Sequence, residues 1–401
     1  MNTLISNIHV STGAQVRLII SSNNWLESLA VDQLKKTAEL AGVCYAAGMP
    51  DLHPGKGQPI GAAFISRGLI YPHLVGSDIG CGMGLWQLNI TKSQLKLDRL
   101  EKKLTGLDEL WSGDYDQWLA DRDINTEEQE LRFANAKLGT IGGGNHFAEI
   151  QRVKQVFAAD SFAASGLTKQ STVLLVHSGS RGLGQTILQQ HIEANQAQGL
   201  PIQGDAANHY LLRHHYAVRW AEANRQLIAQ RFCDCLHVSG KQVLDIAHNT
   251  LLPLTNEQAD HLGLIADNVD GYWIHRKGVS PTDQGLVMIP GSRGSLSYLV
   301  RPKIEAPEQL AQGGYSLAHG AGRKWKRTDA KGRLEGRYKV QDLTVTALGS
   351  RVICKAKDLL YEEAPQAYKN IDRVVNDLVA AGMIELVASF QPLITYKTRR
   401  R

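Results

Sequence analysis

Apolar runs in this chain repeatedly end in loops of glycine, small residues or asparagine, and five of those loops carry a side chain that binds metals or moves protons. They are "VGSDIGCGM" (residues 75–83) with Asp78 and Cys81, "GGGNHFAE" with His146, "VHSGSRGLG" with His177, "IAHN" with His248, and "LAHGAGR" with His319. Glycine-rich loops lose more conformational freedom on folding than other segments, so ordering several of them needs a reason. A common reason is the close approach of backbone to phosphate or metal. A lone cysteine between glycines reads as a small buried hydrophobe, and a lone histidine as a satisfied structural residue. Four such histidines beside Asp78 and Cys81 read instead as one constellation, which the fold must gather from distant parts of the chain.

The residue types suit two metal ions. Cys81 as a thiolate can bridge two cations, with Asp78 and three imidazoles filling the remaining positions. Cysteine and histidine alone favour zinc, whereas the oxygens of a bound nucleotide shift the preference toward a harder ion such as manganese. Composition leaves both open. Several nucleotide signatures are missing: no G-x-x-x-x-G-K-[ST] loop, no G-x-G-x-x-G opening a βαβ unit, and no K-x-D-G with a lysine nucleophile. If the chain activates a nucleotide, His319 is the candidate nucleophile, since imidazole can attack an α-phosphorus to give a phosphoramidate. Gly320, Ala321 and Gly322 leave room for phosphate to meet backbone N–H groups, and Arg323 can offset its charge.

With 401 residues, 43% hydrophobic and 21% charged, the chain has ample material for a core. No linker or low-complexity tract divides it, so one continuous domain is expected over 1–401. A formal net charge of +5 is compatible with a polyanionic partner without requiring one. The five cysteines are scattered, with no C-x-x-C pair, and read as reduced thiols of a cytoplasmic protein. The start "MNTLISNIHV" lacks the pattern of a signal peptide, and no run approaches a transmembrane helix.

Along the chain, "VRLII" (residues 16–20) predicts a strand. Leu26, Ala30, Leu34, Ala38 and Ala41 predict an amphipathic helix closed by Gly42. Residues 42–83 read as strands delivering loops, residues 108–130 as an acidic, solvated surface excursion, and residues 172–176 as a buried strand. A long helix is expected over about 207–237, with Arg213, Arg219, Arg225 and Arg231 on a solvated face in preference to an RNA-contacting stripe. "GYWIHRKGVS", "GLVMIPGS" and "SLSYLV" read as successive strands, and "KNIDRVVNDLVAAG" as a helix before a last strand. Strands and helices do not alternate regularly, which predicts an α+β fold.

"MPDLHPGKGQPIG", "VGSDIGCGM", "GGGNHF", "HSGSRGLG", "PGSRGSLSY", "HGAGR" and "EEAPQAYKNID" together resemble the RtcB family of RNA ligases, in the family's order, from about residue 43 to the end. The chain resembles a short bacterial paralogue branch. The resemblance implies one large domain with mixed sheets around a central metal and nucleotide cleft. It also implies joining of RNA 2',3'-cyclic phosphate or 3'-phosphate ends to 5'-hydroxyl ends, in RNA repair or tRNA splicing, with GTP and two manganese ions. An archease-like activator is an implied candidate partner. Carried over, Asp78, Cys81 and His146 would hold one ion, and Cys81, His177 and His248 the other. His319 would be the guanylylated nucleophile, with Asp51, His53 and Arg181 near the reacting RNA phosphate. The nucleotide pocket would draw on Asn145, His146, Phe147, Ala148 and Glu149, on His248 and Asn249, and on Pro290, Gly291, Ser292, Arg293 and Ser297. His319, Gly320, Ala321 and Gly322 would complete it, with Tyr368 and Lys397 at the guanine end. Two departures stand out: Lys326 occupies a position the family gives to serine, and the C-terminal "QPLITYKTRR" differs from the family's pattern around Lys397. Two other readings share the ligand set. A metal-dependent RNA end-processing phosphodiesterase would have no need of His319 and its loop. A non-catalytic RNA-binding relic would have no need to keep all five ligands.

Overall fold

The computed structural model describes residues 4–91, 93–196, 198–264 and 271–400. Helices and strands are intermixed, as an α+β fold requires. The strands of two sheets are, in chain order, β1 (Ile5–Ile8), β2 (Gln15–Ile19), β3 (Val43–His53), β4 (Ile60–Arg67), β5 (Gly82–Leu88), β6 (Phe147–Val156) and β7 (Thr172–Ser178). They continue as β8 (Gly240–Ala247), β9 (Asn249–Pro253), β10 (Tyr272–Lys277), β11 (Val287–Pro290), β12 (Ser297–Pro302), β13 (Arg351–Cys354) and β14 (Ile384–Thr398). The helices that matter for the site are α1 (Ser28–Ala38), α2 (Gly182–Asn195), α3 (Asp205–Leu236), α4 (Arg327–Leu334) and α5 (Ile371–Ala380).

The first sheet runs β1-β2-β3-β4-β10-β9. Its one parallel pair, β2 and β3, needs a crossover, and α1 supplies it. Ala30, Leu34 and Ala38, at four-residue spacing, bury one face of α1 among Val16, Leu18 and Phe64. The second sheet runs β8-β5-β7-β6-β14-β12-β11, with β13 parallel beside β14. Strand β7 is buried along its whole length. Leu174 and Val176 pack with Ile228 and Phe232 of α3, while Val173 and Leu175 pack with Met288, Leu299 and Phe390 from the far strands of the same sheet. A sheet that covers its own inner face in this way must curl. A strand covered on both faces reads as the continuous apolar run "TVLLV".

Register gathers the loops. Gly82 of β5 pairs with Ser178 of β7 on one side and with Ala247 of β8 on the other, and His177 faces both Met83 and Phe147. The start of β5, the start of β6 and the ends of β7 and β8 therefore meet at one edge. The chain then leaves β8 at Ala247 and enters β9 of the other sheet at Asn249, which sets His248 at the junction of the two sheets.

Three expectations are corrected. Helix α1 ends at Ala38 rather than at Gly42, because residues 39–42 already turn the chain back into β3. The stretch 108–130 is not simply solvated: Leu119 and Ile124 are buried beside α3, and the Trp118 indole donates to the Ala223 carbonyl at 3.2 Å. The four α3 arginines do not form a solvated face. Six residues advance a helix by about 600°, so each arginine points about 120° away from the next. Arg225 is buried with Asp245, Arg213 pairs with Glu128 and Glu130, and Arg219 and Arg231 donate to backbone carbonyls of residues 122, 139 and 106. Among the described residues no helix is long and apolar enough to cross a membrane.

Helix α3 backs the loop before β5 closely. A Cβ on Gly80, whose φ is +72°, would lie 2.8 Å from the Val218 Cα and 3.0 Å from the Ala221 Cβ. Gly80→Ala therefore combines a left-handed backbone with overpacking against a helix, and is expected to destabilise the protein by about 2–4 kcal/mol. Denaturant melts of the two proteins check this; a wild-type midpoint for Gly80→Ala would show that α3 gives way at no cost.

Candidate metal and nucleotide site

A tight turn brings Asp78 and Cys81 to one side. The Cys81 N–H donates to the Asp78 carbonyl at 3.1 Å, and the His248 N–H donates to the Cys81 carbonyl at 2.7 Å. Asn249 staples this turn to its surroundings. Its amide donates to the Asp78 carbonyl at 2.9 Å, and its side-chain oxygen accepts from the Gly278 N–H at 2.7 Å. Both ends of that side chain are thus engaged with backbone, although Asn249 also lines the cleft.

Five side chains converge from these loops. His146 Nε2 lies 2.8 Å from Asp78 Oδ2 and 3.3 Å from Cys81 Sγ, and His177 Nε2 lies 3.2 Å from the same sulfur. Two trios, Asp78–Cys81–His146 and Cys81–His177–His248, each keep one ligand atom per residue within 4.8 Å of one another. Cys81 belongs to both. Burial, with the charge of neighbouring histidines, holds the His177 and His248 imidazoles far below the usual range, so both are neutral and have lone pairs to give. Burial and then Asp78 push the Cys81 thiol up, so only a cation would make it a thiolate. Burial also raises the Asp78 carboxyl, but His146, Cys81 and Arg181 outweigh it and hold it below its ordinary value. The Nδ1 atoms of His146 and His248 are buried without a hydrogen-bond partner. Neutral imidazoles, a shared sulfur and a carboxylate fit a pair of divalent ions.

His319 follows the short strand Ser316–Ala318, and its ring centroid lies 4.7 Å from that of His248. Its Nδ1 lies 2.8 Å from Asp51 Oδ2, which also accepts from the His319 N–H at 3.3 Å. A carboxylate at Nδ1 fixes the hydrogen there and leaves Nε2 with the lone pair. Asp51 is completely buried. Lys369 holds the strand on either side of it, donating to the carbonyls of Pro50 and Leu52 at 2.9 and 2.8 Å. Gly278 closes on the ring from the other side: its φ is +65°, and a Cβ there would stand 3.0 Å from His319 Cε1. His53 Nδ1 meets the Asp51 carbonyl at 2.8 Å, and burial pushes its imidazole down to about 4.

A cleft of about 610 Å³ opens over both groups. Asp78, Cys81, His177, His248 and His319 line it, as do His53, Asn145, Phe147, Glu149, Pro290, Gly291, Ser292, Arg293, Gly320, Ala321, Gly322, Tyr368 and Lys397. Of the other expected residues, Asp51 stands behind His319, and His146 beside Asp78. Ala148 turns its side chain into the core with Ile150 and Leu174, as alternation along β6 dictates. Ser297 reaches the cleft only through Gln151, whose amide donates to Ser297 Oγ at 2.8 Å and to Glu149 at 2.6 Å. Arg181, the residue before α2, has φ +59°, a conformation that costs a non-glycine residue roughly 1–3 kcal/mol. Its charge acts on Asp78.

Another part of the cleft wall is a polar network. Burial raises the Glu149 carboxyl to about 7 and lowers the Lys397 ammonium to about 8. Glu363 accepts from Arg323 at 3.1 Å, from Arg327 at 3.2 Å and from the Tyr368 hydroxyl. Burial alone would raise that carboxyl; Lys397 and the two arginines hold it below the ordinary range. Sequence reasoning gave no role to Glu363, Lys369 or Lys277, a cleft-lining lysine that burial pushes down to about 8. The available signal was a charge beside glycine or within a quoted motif, "HRKG" and "EEAPQAYKN". Lys326 lies exposed at the cleft, at the N-terminal cap of α4, with no capping hydrogen bond. A lysine there opposes the helix dipole.

The family described as tRNA-splicing ligase RtcB matches residues 33–113 and 113–398. An RNA-splicing ligase RtcB2 of Escherichia coli strain ATCC 25922 is 48% identical over 379 residues, covering 94% of each chain. A tRNA-splicing ligase RtcB of Thermococcus kodakarensis is 30% identical over 90% of each chain. One of Archaeoglobus fulgidus is 30% identical over 92% of this chain and 91% of its own.

The shared sulfur generates a stoichiometry. If both trios hold a metal, elemental analysis after loading with divalent cations is expected to give two ions for the wild-type protein, one each for His146→Ala and His248→Ala, and none held tightly by Cys81→Ala. Two ions retained by a folded Cys81→Ala variant would show that the sulfur does not bridge.

Proposed function

The chain belongs to the RtcB family of tRNA-splicing ligases, and on that premise we propose that it is a GTP- and manganese-dependent RNA ligase. Its substrates are RNA 2',3'-cyclic phosphate or 3'-phosphate ends and RNA 5'-hydroxyl ends, as in RNA repair or tRNA splicing, and its compartment is the cytoplasm. An archease-like activator is a candidate partner. The observation that carries this reading is His319, clamped at Nδ1 by the buried Asp51 and set against His248 in the same cleft as the two trios. A phosphodiesterase would need the trios but not an oriented nucleophile beside them.

Asp78, Cys81 and His146 would hold one manganese ion, and Cys81, His177 and His248 the other. When bound, the ions neutralise charge that develops on phosphate oxygens and lower the pKa of coordinated water. His319 Nε2 attacks the α-phosphorus of GTP, forming a P–N bond as pyrophosphate leaves. Asp51 keeps the hydrogen on Nδ1 throughout and stabilises the positive charge that the ring acquires. The RNA 3'-phosphate then displaces the imidazole and gives an RNA–pp–G end. The 5'-hydroxyl attacks the 3'-phosphorus, losing its proton, and GMP departs. His53 and Arg181 stand by to orient the RNA phosphate, and Gly320, Ala321 and Gly322 offer backbone N–H groups to the nucleotide phosphate. Glu149 presents an acceptor, and Lys397 a donor, to the guanine edge.

A buried edge that hydrogen-bonds guanine leaves polar groups unpaired when adenine enters, a large penalty. Radiolabelled GTP is expected to give an acid-labile, alkali-stable adduct, and ATP several orders of magnitude less. Equal labelling by both would remove Glu149 and Lys397 from base recognition.

Division of labour gives a second test. His319→Ala should form no adduct and fail on 3'-phosphate or cyclic phosphate RNA, yet still join RNA supplied with a 3'-pp–G end to a 5'-hydroxyl. His177→Ala should fail on that substrate too. Gel-resolved ligation with manganese present decides the matter: a folded, metal-bound His319→Ala that cannot use pre-activated RNA would show that the histidine does more than carry GMP.

A further inference from the structure

We infer that Arg225, with Asp245, is the positioning residue of the metal centre: one buried guanidinium that fixes the backbone on which the ligands stand. The inference rests on reading the two trios as metal sites. Arg225 lies on α3 and is 1% exposed. Its Nε donates to both Asp245 oxygens at 3.0 and 2.9 Å, and Nη2 donates to Asp245 again. Its Nη1 donates to the Gly80 carbonyl at 2.7 Å and to the Ser178 carbonyl at 2.9 Å. Gly80 immediately precedes Cys81, Ser178 immediately follows His177, and Asp245 stands three residues before His248 on β8. One planar group therefore ties together the segments that carry all three ligands of one trio, including the sulfur shared with the other.

Stability alone does not call for this arrangement. A buried ion pair is costly to desolvate, and an apolar pair of similar volume often serves the fold as well or better. What an apolar pair cannot do is hold two carbonyls at fixed positions beside a cysteine and a histidine. Lysine cannot do it either, because its single ammonium lacks the rigid fork that spans a carboxylate and two carbonyls. Groups that orient metal ligands from behind are typically worth 10–100-fold in metal affinity.

The test titrates manganese into metal-free full-length protein by calorimetry and records the electron paramagnetic resonance spectrum of the loaded protein. Arg225→Met combined with Asp245→Leu removes both charges at similar volume, and Arg225→Lys keeps the charge without the fork. Arg213→Lys is the control: it lies on the same helix, and its guanidinium binds Glu128, Glu130 and Gln190. Both Arg225 variants are expected to bind manganese about 10–100-fold more weakly and to lose the spin-coupled signal of a close ion pair, while the control keeps both. Wild-type affinity and coupling in either Arg225 variant would overturn the inference, as would an equal loss in the control. A wild-type protein that bound no manganese would overturn the metal reading, and this inference with it.

Discussion

The ladder rung in which Gly82 is paired with both Ser178 and Ala247 governs the site, because it decides which chain ends stand side by side. Cys81 precedes that rung, His177 sits one residue before its second member, and His248 one residue after its third. A slip of one residue in either pairing would turn the ligand side chains to the opposite face. Register is fixed in turn by what the two faces of β7 bury. Leu174 and Val176 commit one face to α3, and Val173 and Leu175 commit the other to the curled interior. The apolar core and the site are thus one construction, and a residue that never approaches a ligand can still set its position.

Burial supplies the chemistry as well as the geometry. Desolvation pushes the His177 and His248 rings down and the Cys81 thiol up, so these three groups carry little charge of their own. A cation entering such a site displaces the thiol proton, which couples metal binding to proton release. The same low dielectric makes each remaining buried charge expensive, and two of them near the cleft share a use. Arg225 grips the carbonyls beside Cys81 and His177, and Lys369 grips the carbonyls on either side of Asp51. Each cation orients a functional side chain through the backbone next to it.

Two parts of the cleft wall differ in kind. Around the trios the side chains are of types that could hold a cation. Elsewhere in the cleft wall, Glu149, Gln151, Ser297 and Thr395 bond to one another, as do Glu363, Arg323, Arg327 and Tyr368. A preorganised polar wall of that kind selects by shape and hydrogen-bond pattern rather than by net charge. His319 stands against His248 of one trio, with Asp51 behind it.

The α+β class, the buried strand of β7 and the long helix α3 were legible in the sequence because local patterns cause them: a continuous apolar run, and periodicity over many turns. The five clustered side chains were legible as residue types, since loops of glycine and asparagine at the ends of apolar runs mark where backbone must turn and ligands must approach. Their pairing into trios entered as a resemblance, because distances between side chains 65 or 96 residues apart have no local signature. The fate of the α3 arginines was decided by tertiary structure: helical geometry sends them to different faces, but only the packed molecule puts Asp245, Gly80 and Ser178 around Arg225. Glu363, Lys369 and Lys277 escaped for a related reason. A charged residue in a short segment looks solvated until the fold shows which side of it is buried. Sequence set the chemistry available at each loop, through composition and local conformational freedom. Register and packing set which of those chemistries meet, because long-range contact depends on the whole buried surface and not on any one stretch.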